Sequence, residues 1–273
     1  MADEHRLLAI FPHPDDETLG LGGTLAKYSA EGVATFLVCA TRGERGWYAS
    51  EGPNPGLEAV GRIREAELRC AAEWLGLREV RFLDYLDGDL DKAQPSEIIA
   101  KIVEQIRRIK PQVIVTFPPD GAYGHPDHIA LSQFTAAAIM CAADASSKDA
   151  GGHAPHRTSK FYYMVSSQAT VRFANDAFGG LKMDVDGVTR QHTAWADWQI
   201  TTRFDAQPYI EVVHKAVLCH KSQLPGYGPL GEAPAAEMGV WFGKGEFYRV
   251  FSLVNGGRSV ETDLFEGLRG RTG

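Results

Sequence analysis

What most constrains this chain is a repeated alternation of short, nearly all-apolar runs with longer segments of helical spacing, each ended by glycine or proline. Arg6 to Phe11 is a run of the buried-strand type, and it stops at Pro12-His13-Pro14, where two prolines forbid a continued sheet ladder. Leu19 to Ala30 reads as a helix stopped at Glu31-Gly32, and Val33 to Ala40 as a second strand rich in β-branched and aromatic residues. Leu57 to Gly76 carries i, i+3, i+4 spacing, Val80 to Leu83 is a third strand, and Ser96 to Ile109 is a helix with Ser96 as its cap. Pro111 then introduces a strand over Val113 to Phe117. Strands buried on both faces and joined through helices require parallel crossovers, so the first 145 residues imply an α/β fold, a Rossmann-like three-layer α/β/α sandwich with a mainly parallel sheet.

The remainder is less regular. Ala145 to His156 reads as a surface connection and Phe161 to Val165 as a further strand. Residues 170 to 203 hold Phe173, Phe178, Trp195 and Trp198 without clear periodicity. Gln207 to Leu224 looks helical, stopped by Pro225-Gly226, and a strand is expected over Tyr248 to Val254. The expected organisation is one domain over 1–273, with a core over 5–165, an irregular insertion over about 166–203, and a C-terminal helix and tail over 204–273. No internal repeat or low-complexity tract interrupts it.

Composition excludes several partners. With 28 Lys+Arg against 35 Asp+Glu the formal charge is −7, and no block of basic residues offers a surface for neutralising duplex phosphates, so nucleic acid is not expected. The longest strictly apolar run, Ala136 to Ala143, falls far short of the roughly 20 residues a bilayer demands, so no membrane partner is expected either. The opening MADEHRLLAIF has no basic n-region and does not read as a signal peptide. Cys39, Cys70, Cys141 and Cys219 lie far apart with no C-x-x-C pair, and are expected as reduced thiols of a cytoplasmic protein.

In sheets of this kind ligand sites form beyond the carboxyl ends of the strands, which singles out the loops after Phe11 and after Phe117. The first holds His13-Pro14-Asp15-Asp16-Glu17, one imidazole and three carboxylates in five residues. The second holds Tyr123-Gly124-His125-Pro126-Asp127-His128. Two such clusters can converge on one divalent ion, and three protein ligands with an open position are how catalytic zinc sites are built. Taken alone, Asp15, Asp16 and Glu17 would equally suit the positive end of the helix that follows. Gly20-x-Gly22-Gly23 does not directly follow the strand, and close packing of a helix start explains it better than a dinucleotide does.

These residues resemble the PIG-L/LmbE-like family of zinc-dependent N-acetylglucosaminyl deacetylases. Thr41-Arg42-Gly43-Glu44 is similar to the family's T-x-G-E segment, Arg64-x-x-Glu67 with Ala71-Ala72-x-x-Leu75-Gly76 to its R-x-x-E helix, and His220-Lys221-Ser222-Gln223 to its late H-x-S-Q stretch. The likeness covers most of residues 5 to 145 and a patch near 203 to 223. It implies that His13, Asp16 and His128 hold one Zn2+ per chain, with other divalent transition metals accepted, and that Asp15 is the general base. It further implies that Tyr123 or a protonated His125 stabilises the oxyanion, that His125 protonates the leaving amine, and that Asp127 orients an imidazole.

By the same resemblance Glu44 and Arg64 approach the sugar or its aglycone, although Arg64 and Glu67 also suit an i, i+3 ion pair. His220 either faces the pocket or is an ordinary core histidine. The expected activity is hydrolysis of the N-acetyl group of an N-acetylglucosamine-type conjugate. A metal-dependent amidase acting on a larger amide, such as a mycothiol-type thiol conjugate, and a non-catalytic metal- or sugar-binding module are the alternatives. A homo-oligomer is compatible with the resemblance but nothing in the residues supports it.

Overall fold

The computed structural model describes residues 4–48, 52–147, 151–180, 182–185, 187–255 and 259–269. Its main sheet has seven strands: β1 (Arg6–Phe11), β2 (Ala34–Thr41), β3 (Glu79–Tyr85), β4 (Val113–Thr116), β5 (Lys160–Met164), β8 (Thr202–Asp205) and β9 (Lys244–Ser252). They lie in the order β3-β2-β1-β4-β5-β9-β8. The first five run parallel, while β9 pairs antiparallel with β5 and with β8. A separate hairpin, β6 (Lys182–Val185) with β7 (Val188–Gln191), stands apart.

The three layers follow from the strand residues. On β1, Leu7, Ala9 and Phe11 face a cluster with Leu25, Leu68 and Ala216, which lie on α2 (Gly22–Ala30), α3 (Leu57–Leu75) and α8 (Ile210–Val217). Leu8 and Ile10 face Ile102, Ile106 and Leu131, on α4 (Pro95–Ile109) and α6 (Pro126–Ala143). Both faces of the strand are covered, which is why β1 and β2 read as continuous apolar runs with no polar alternation. Since β2 lies on one side of β1 and β4 on the other, the strand order reverses at β1, and a crevice opens beyond the carboxyl ends of β1 and β4.

Several expectations shift. The helix over 95–109 begins with Pro95 at its first turn and Gln94 as cap, so Ser96 sits inside it. The segment over 19–30 divides into the single turn α1 (Asp16–Leu19) and α2, with Gly23 where a Cβ would strike the Phe242 carbonyl at 2.6 Å. The insertion is more regular than its sequence suggests: α7 (Gln168–Phe178) starts on Ser167, whose hydroxyl accepts from the Thr170 N–H, and stops on Gly179. The helix expected over 207–224 ends at Val217; beyond it the Cys219 and His220 N–H groups donate to Ala216 and Val217, and the Ser222 N–H leaves the helical pattern for Glu67.

The four-thiol expectation is corrected: Cys70 and Cys219 form a disulfide joining α3 to the end of α8, while Cys39 and Cys141 are free. Two cysteines 149 positions apart give no local signal, and the support that thiols lent to a cytoplasmic location goes with them. Among the described residues no helix is long and apolar enough to cross a membrane.

Candidate active site

The first cluster is held in a strained turn. Asp15 lies at φ 108°, outside the regions a non-glycine residue normally occupies, and such a conformation costs about 1–3 kcal/mol unless its surroundings fix it. They do fix it. The Asp15 N–H donates to Glu17 Oε2 at 2.9 Å, and Asp15 Oδ2 accepts from Arg64 Nη2 at 3.1 Å and from the Tyr227 hydroxyl at 2.9 Å. Burial pushes the Asp15 carboxyl up to about 6, with Arg64 opposing. Next to it, Asp16 accepts from the His13 N–H at 2.9 Å, which closes the turn and points one carboxylate oxygen back along the strand end.

The second cluster comes from α5 (Gly121–Gly124) and the start of α6. His125 caps α6, its Nδ1 accepting from the Asp127 N–H at 3.1 Å, and Pro126 occupies the first turn. The two strand ends meet as the residue pattern requires. His13 Nδ1 stands 3.4 Å from Asp16 Oδ2, and His128 Nε2 stands 3.6 Å from Asp16 Oδ1. Ligand atoms of His13, Asp16 and His128 all lie within 4.8 Å of one another, so these three could hold a metal ion.

The set fits a metal on an independent ground. His128 is fully buried against the face of Phe117, with ring centroids 4.0 Å apart, and neither ring nitrogen has a hydrogen-bond partner. An unsatisfied buried polar group costs about 1–3 kcal/mol, a cost removed when the nitrogen ligates a cation. Burial, then the charges of His13 and His125, push the His128 pKa well down, which keeps the ring in the neutral form that ligates.

A second grouping, His13, His125 and Asp127, is equally compact. Its donors and acceptors are already used: Asp127 accepts from Gly88 N–H at 2.7 Å, from Leu90 N–H at 3.1 Å and from His13 Nε2 at 3.0 Å. Asp127 is thus a partner of His13, and so is Asp87, whose Oδ1 lies 3.1 Å from the same nitrogen. Burial opposes protonation of His13, but hydrogen bonds to Asp127, Asp16 and Asp87 outweigh it and raise its pKa well above the ordinary value. The sequence reading missed Asp87, though Asp87-Gly88 follows β3 at the same carboxyl edge and the strand-end rule could have found it.

The remaining candidates divide. Tyr123 and His125 sit beside the cluster, with the His125 ring centroid 4.7 Å from that of His128 and Tyr123's 5.0 Å. Burial, and then His13, push the His125 pKa down to about 4; with Nδ1 accepting, its proton in the neutral form is on Nε2. Arg64 is 4% exposed and spends its guanidinium on Asp15 and on the Pro14 and Gly43 carbonyls. It makes no ion pair with Glu67, which instead accepts from the N–H and hydroxyl of Ser222, both at 2.7 Å. Glu44 accepts from the Asp87 N–H at 3.2 Å. His220 is fully buried and bonds Glu17 at 3.0 Å, so it belongs to the core side of the first turn.

A cavity of about 600 Å³ opens beside Asp15, Asp16 and Tyr123. Its floor is the ends of β4, β5 and β9, and α7 with the β6 and β7 hairpin roofs it. Tyr48, Tyr227 and Trp195 also line it. The roof is tied to the second cluster: the Thr193 N–H donates to the Ala122 carbonyl at 2.6 Å, and Arg190 donates to the Gly124 carbonyl. The segment from 166 to 203, unreadable in sequence, therefore shapes the pocket and braces the turn carrying Tyr123 and His125.

A mostly parallel sheet sandwiched by helices, with a His/Asp cluster at its topological switch, defines a class of Rossmann-like α/β proteins bearing a candidate metal site at the carboxyl edge. The family model described as PIG-L, GlcNAc-PI de-N-acetylase, matches residues 8–139. A 1D-myo-inositol 2-acetamido-2-deoxy-alpha-D-glucopyranoside deacetylase from Streptomyces griseus is 34% identical over 96% of this chain and 89% of its own length. One of the same name from Kineococcus radiotolerans is 32% identical over 96% of this chain and 83% of its own. A conserved protein from Thermus thermophilus superposes with a TM-score of 0.66 at 27% identity, covering 93% of this chain and 98% of that one. The chain belongs to the PIG-L family, whose deacetylases are amide hydrolases.

Proposed function

We propose that this chain hydrolyses the N-acetyl group of an N-acetylglucosamine-type conjugate at a zinc site formed by His13, Asp16 and His128, and that an inositol, as in the names of its relatives, is a suitable aglycone to try first. The observation that carries the reading is the fully buried His128 imidazole with both nitrogens unpartnered, set against Asp16 and beside a strained, half-buried Asp15. A zinc ion so held supplies Lewis-acid polarisation of the amide carbonyl and makes its water acidic near neutral pH.

The chain's own groups supply the rest. Asp15, kept in place by Arg64 and Tyr227, accepts the proton of the attacking water. Tyr123, whose hydroxyl burial keeps protonated far past its ordinary range, and the Nε2–H of His125 face the developing oxyanion as donors. The proton taken by Asp15 passes to the departing nitrogen, which leaves as the free amine. Asp127 and Asp87 fix the His13 tautomer so that Nδ1 is the nitrogen offered to the metal.

The test is Asp15→Asn, assayed by acetate release from N-acetylglucosamine derivatives with metal analysis of the same sample. The expected result is a loss in kcat of about 10²- to 10⁴-fold with zinc content near that of the parent protein. Unchanged turnover would refute the role of Asp15, and a metal-free preparation with full activity would refute the zinc site.

A further inference from the structure

We propose that the Cys70–Cys219 bridge is a site of thiol–disulfide exchange that controls the catalytic turn, so that the chain is active with the bridge formed and is slowed when a small-molecule dithiol reduces it. The inference rests on the amide-hydrolase reading above and adds the regulation of that site.

Both sulfurs lead to Asp15. On α3, Arg64, Glu67 and Cys70 follow one another at intervals of three. The Arg64 guanidinium donates to Asp15 Oδ2 at 3.1 Å and to the Pro14 and Gly43 carbonyls. Cys219 is followed by His220, whose imidazole bonds Glu17 Oε1 at 3.0 Å, and Glu17 Oε2 in turn accepts from the Asp15 N–H at 2.9 Å. In the same turn the Ser222 N–H donates to Glu67 at 2.7 Å, and Gln223 Nε2 donates to the Gly46 carbonyl at 2.9 Å. The bridge thus fastens to α3 the short turn over 218–223, which carries one support of the Asp15 backbone at φ 108°, while α3 carries another. A conformation of that kind persists only while its surroundings over-determine it.

The two sulfurs are unequally placed: Cys70 is exposed, whereas Cys219 is buried. A thiolate arriving from solvent therefore meets the Cys70 sulfur, and access of this kind decides which sulfur is attacked. The attack forms a mixed disulfide at Cys70 and expels Cys219 as a thiolate, which takes up a proton. The second thiol of the reagent then closes on the first and frees Cys70. Two electrons and two protons pass to the cysteines, and the reagent leaves as its own disulfide. With the bridge open, the bonds between Glu67 and Ser222 are left to hold the turn against α3, and the support that His220 gives Asp15 through Glu17 slackens. A displacement of about 1 Å in a catalytic group costs about 10²-fold in rate.

The test reduces the metal-free protein with dithiothreitol, removes the reagent by gel filtration under argon so that it cannot withdraw metal, and then loads zinc. Acetate release from N-acetylglucosamine derivatives is compared with that of untreated protein and of protein reoxidised with diamide. Reduction is expected to lower kcat/KM by about 5- to 100-fold, and reoxidation to restore it. In the metal-free protein, at a temperature where both forms are folded, amide exchange of Asp15, Thr18 and Leu19 is expected to quicken about tenfold on reduction. Cys70→Ser/Cys219→Ser is expected to match the reduced parent and to ignore dithiothreitol. A bridge that only restricts the unfolded chain would lower the melting temperature without moving kcat/KM of the folded protein. Equal kcat/KM in the two forms, with Cys70 and Cys219 shown by alkylation to be free in one of them, therefore overturns the proposal, and so does unchanged exchange in the turn. Exchange that responds while neither form releases acetate would instead overturn the hydrolase reading and leave the redox device standing.

Discussion

Replacing Asp127 by Asn tests how His13, the first of the proposed ligands, is prepared. The carboxylate is fully buried; its Oδ2 accepts from His13 Nε2 at 3.0 Å and from Gly88 N–H at 2.7 Å, and its Oδ1 from Leu90 N–H at 3.1 Å. An asparagine that keeps its oxygen toward His13 must aim its NH₂ at the Leu90 N–H, two donors face to face, at a cost of about 1–3 kcal/mol. Turned the other way, it opposes two donors. In both poses His13 loses a charged acceptor on Nε2, the contact that leaves Nδ1 free for the metal. Carboxylates behind a ligating histidine typically contribute 10- to 100-fold to metal affinity, or about 1.4–2.7 kcal/mol.

Because Asp87 shares the same nitrogen at 3.1 Å, Asp127→Asn alone should sit at the low end and the Asp127→Asn/Asp87→Asn pair at the high end. The assay is zinc competition against a chelating dye, with melting of the metal-free proteins scored separately. Carboxylates that raise the His13 pKa also make a proton compete with the metal, so the gap between parent and variant should narrow as pH falls. A double variant that is folded and binds zinc within twofold of the parent would refute this account of the tautomer.

Other outcomes follow from separate parts of the molecule. The Cys70–Cys219 bridge spans 149 positions, for which loop-closure entropy sets a ceiling of about 5 kcal/mol; Cys70→Ser/Cys219→Ser should melt about 4–9 °C lower, and reductant should lower only the parent. Four titratable thiols in the unreduced, unfolded parent would disprove the bridge. Glu261 is fully buried and lies 2.7 Å from both Lys160 and Arg249; against the cost of burial, hydrogen bonds from Lys160, Tyr162, Asn255 and Thr202 bring its pKa down to about 2. A depressed carboxyl pKa adds stability that is fully present above its ordinary value near 4.5 and is lost as pH falls toward 2, so about 3 kcal/mol should disappear across that window. Denaturation curves whose midpoints do not move between pH 5 and about 2.5 beyond the shift seen in Glu261→Gln would contradict it.

Legibility along the chain followed the range of the interactions that act on each part. Strands β1 and β2 and helix α3 were readable because burial on both faces, or on one stripe, leaves a periodic pattern in neighbouring residues. The sequence of α7 carries a Ser167 start, a Gly179 stop and Val171 and Ala174 at helical spacing, but a segment this short among scattered aromatic residues shows no sustained period. α8 stops earlier than its sequence suggests: past Val217 the Cys219 and His220 N–H groups make tighter local bonds to Ala216 and Val217, and the Ser222 N–H goes to Glu67, 155 residues away. For Arg64 and His220 the sequence does not choose between pocket and core, and only their contacts with Asp15 and Glu17 assign them to the support of the first turn.

By itself the sequence determined the layered parallel sheet and the two clusters of imidazoles and carboxylates, since periodic burial and the chemistry of adjacent side chains are local properties. The tertiary structure decided the rest: that Asp16 lies between His13 and His128, that Asp87 joins Asp127 behind His13, that Cys70 meets Cys219, and that residues of the segment over 166–203 line the cavity. Each of these pairs residues far apart in the chain, whose contact depends on strand order and loop closure and on no pattern that either segment carries alone.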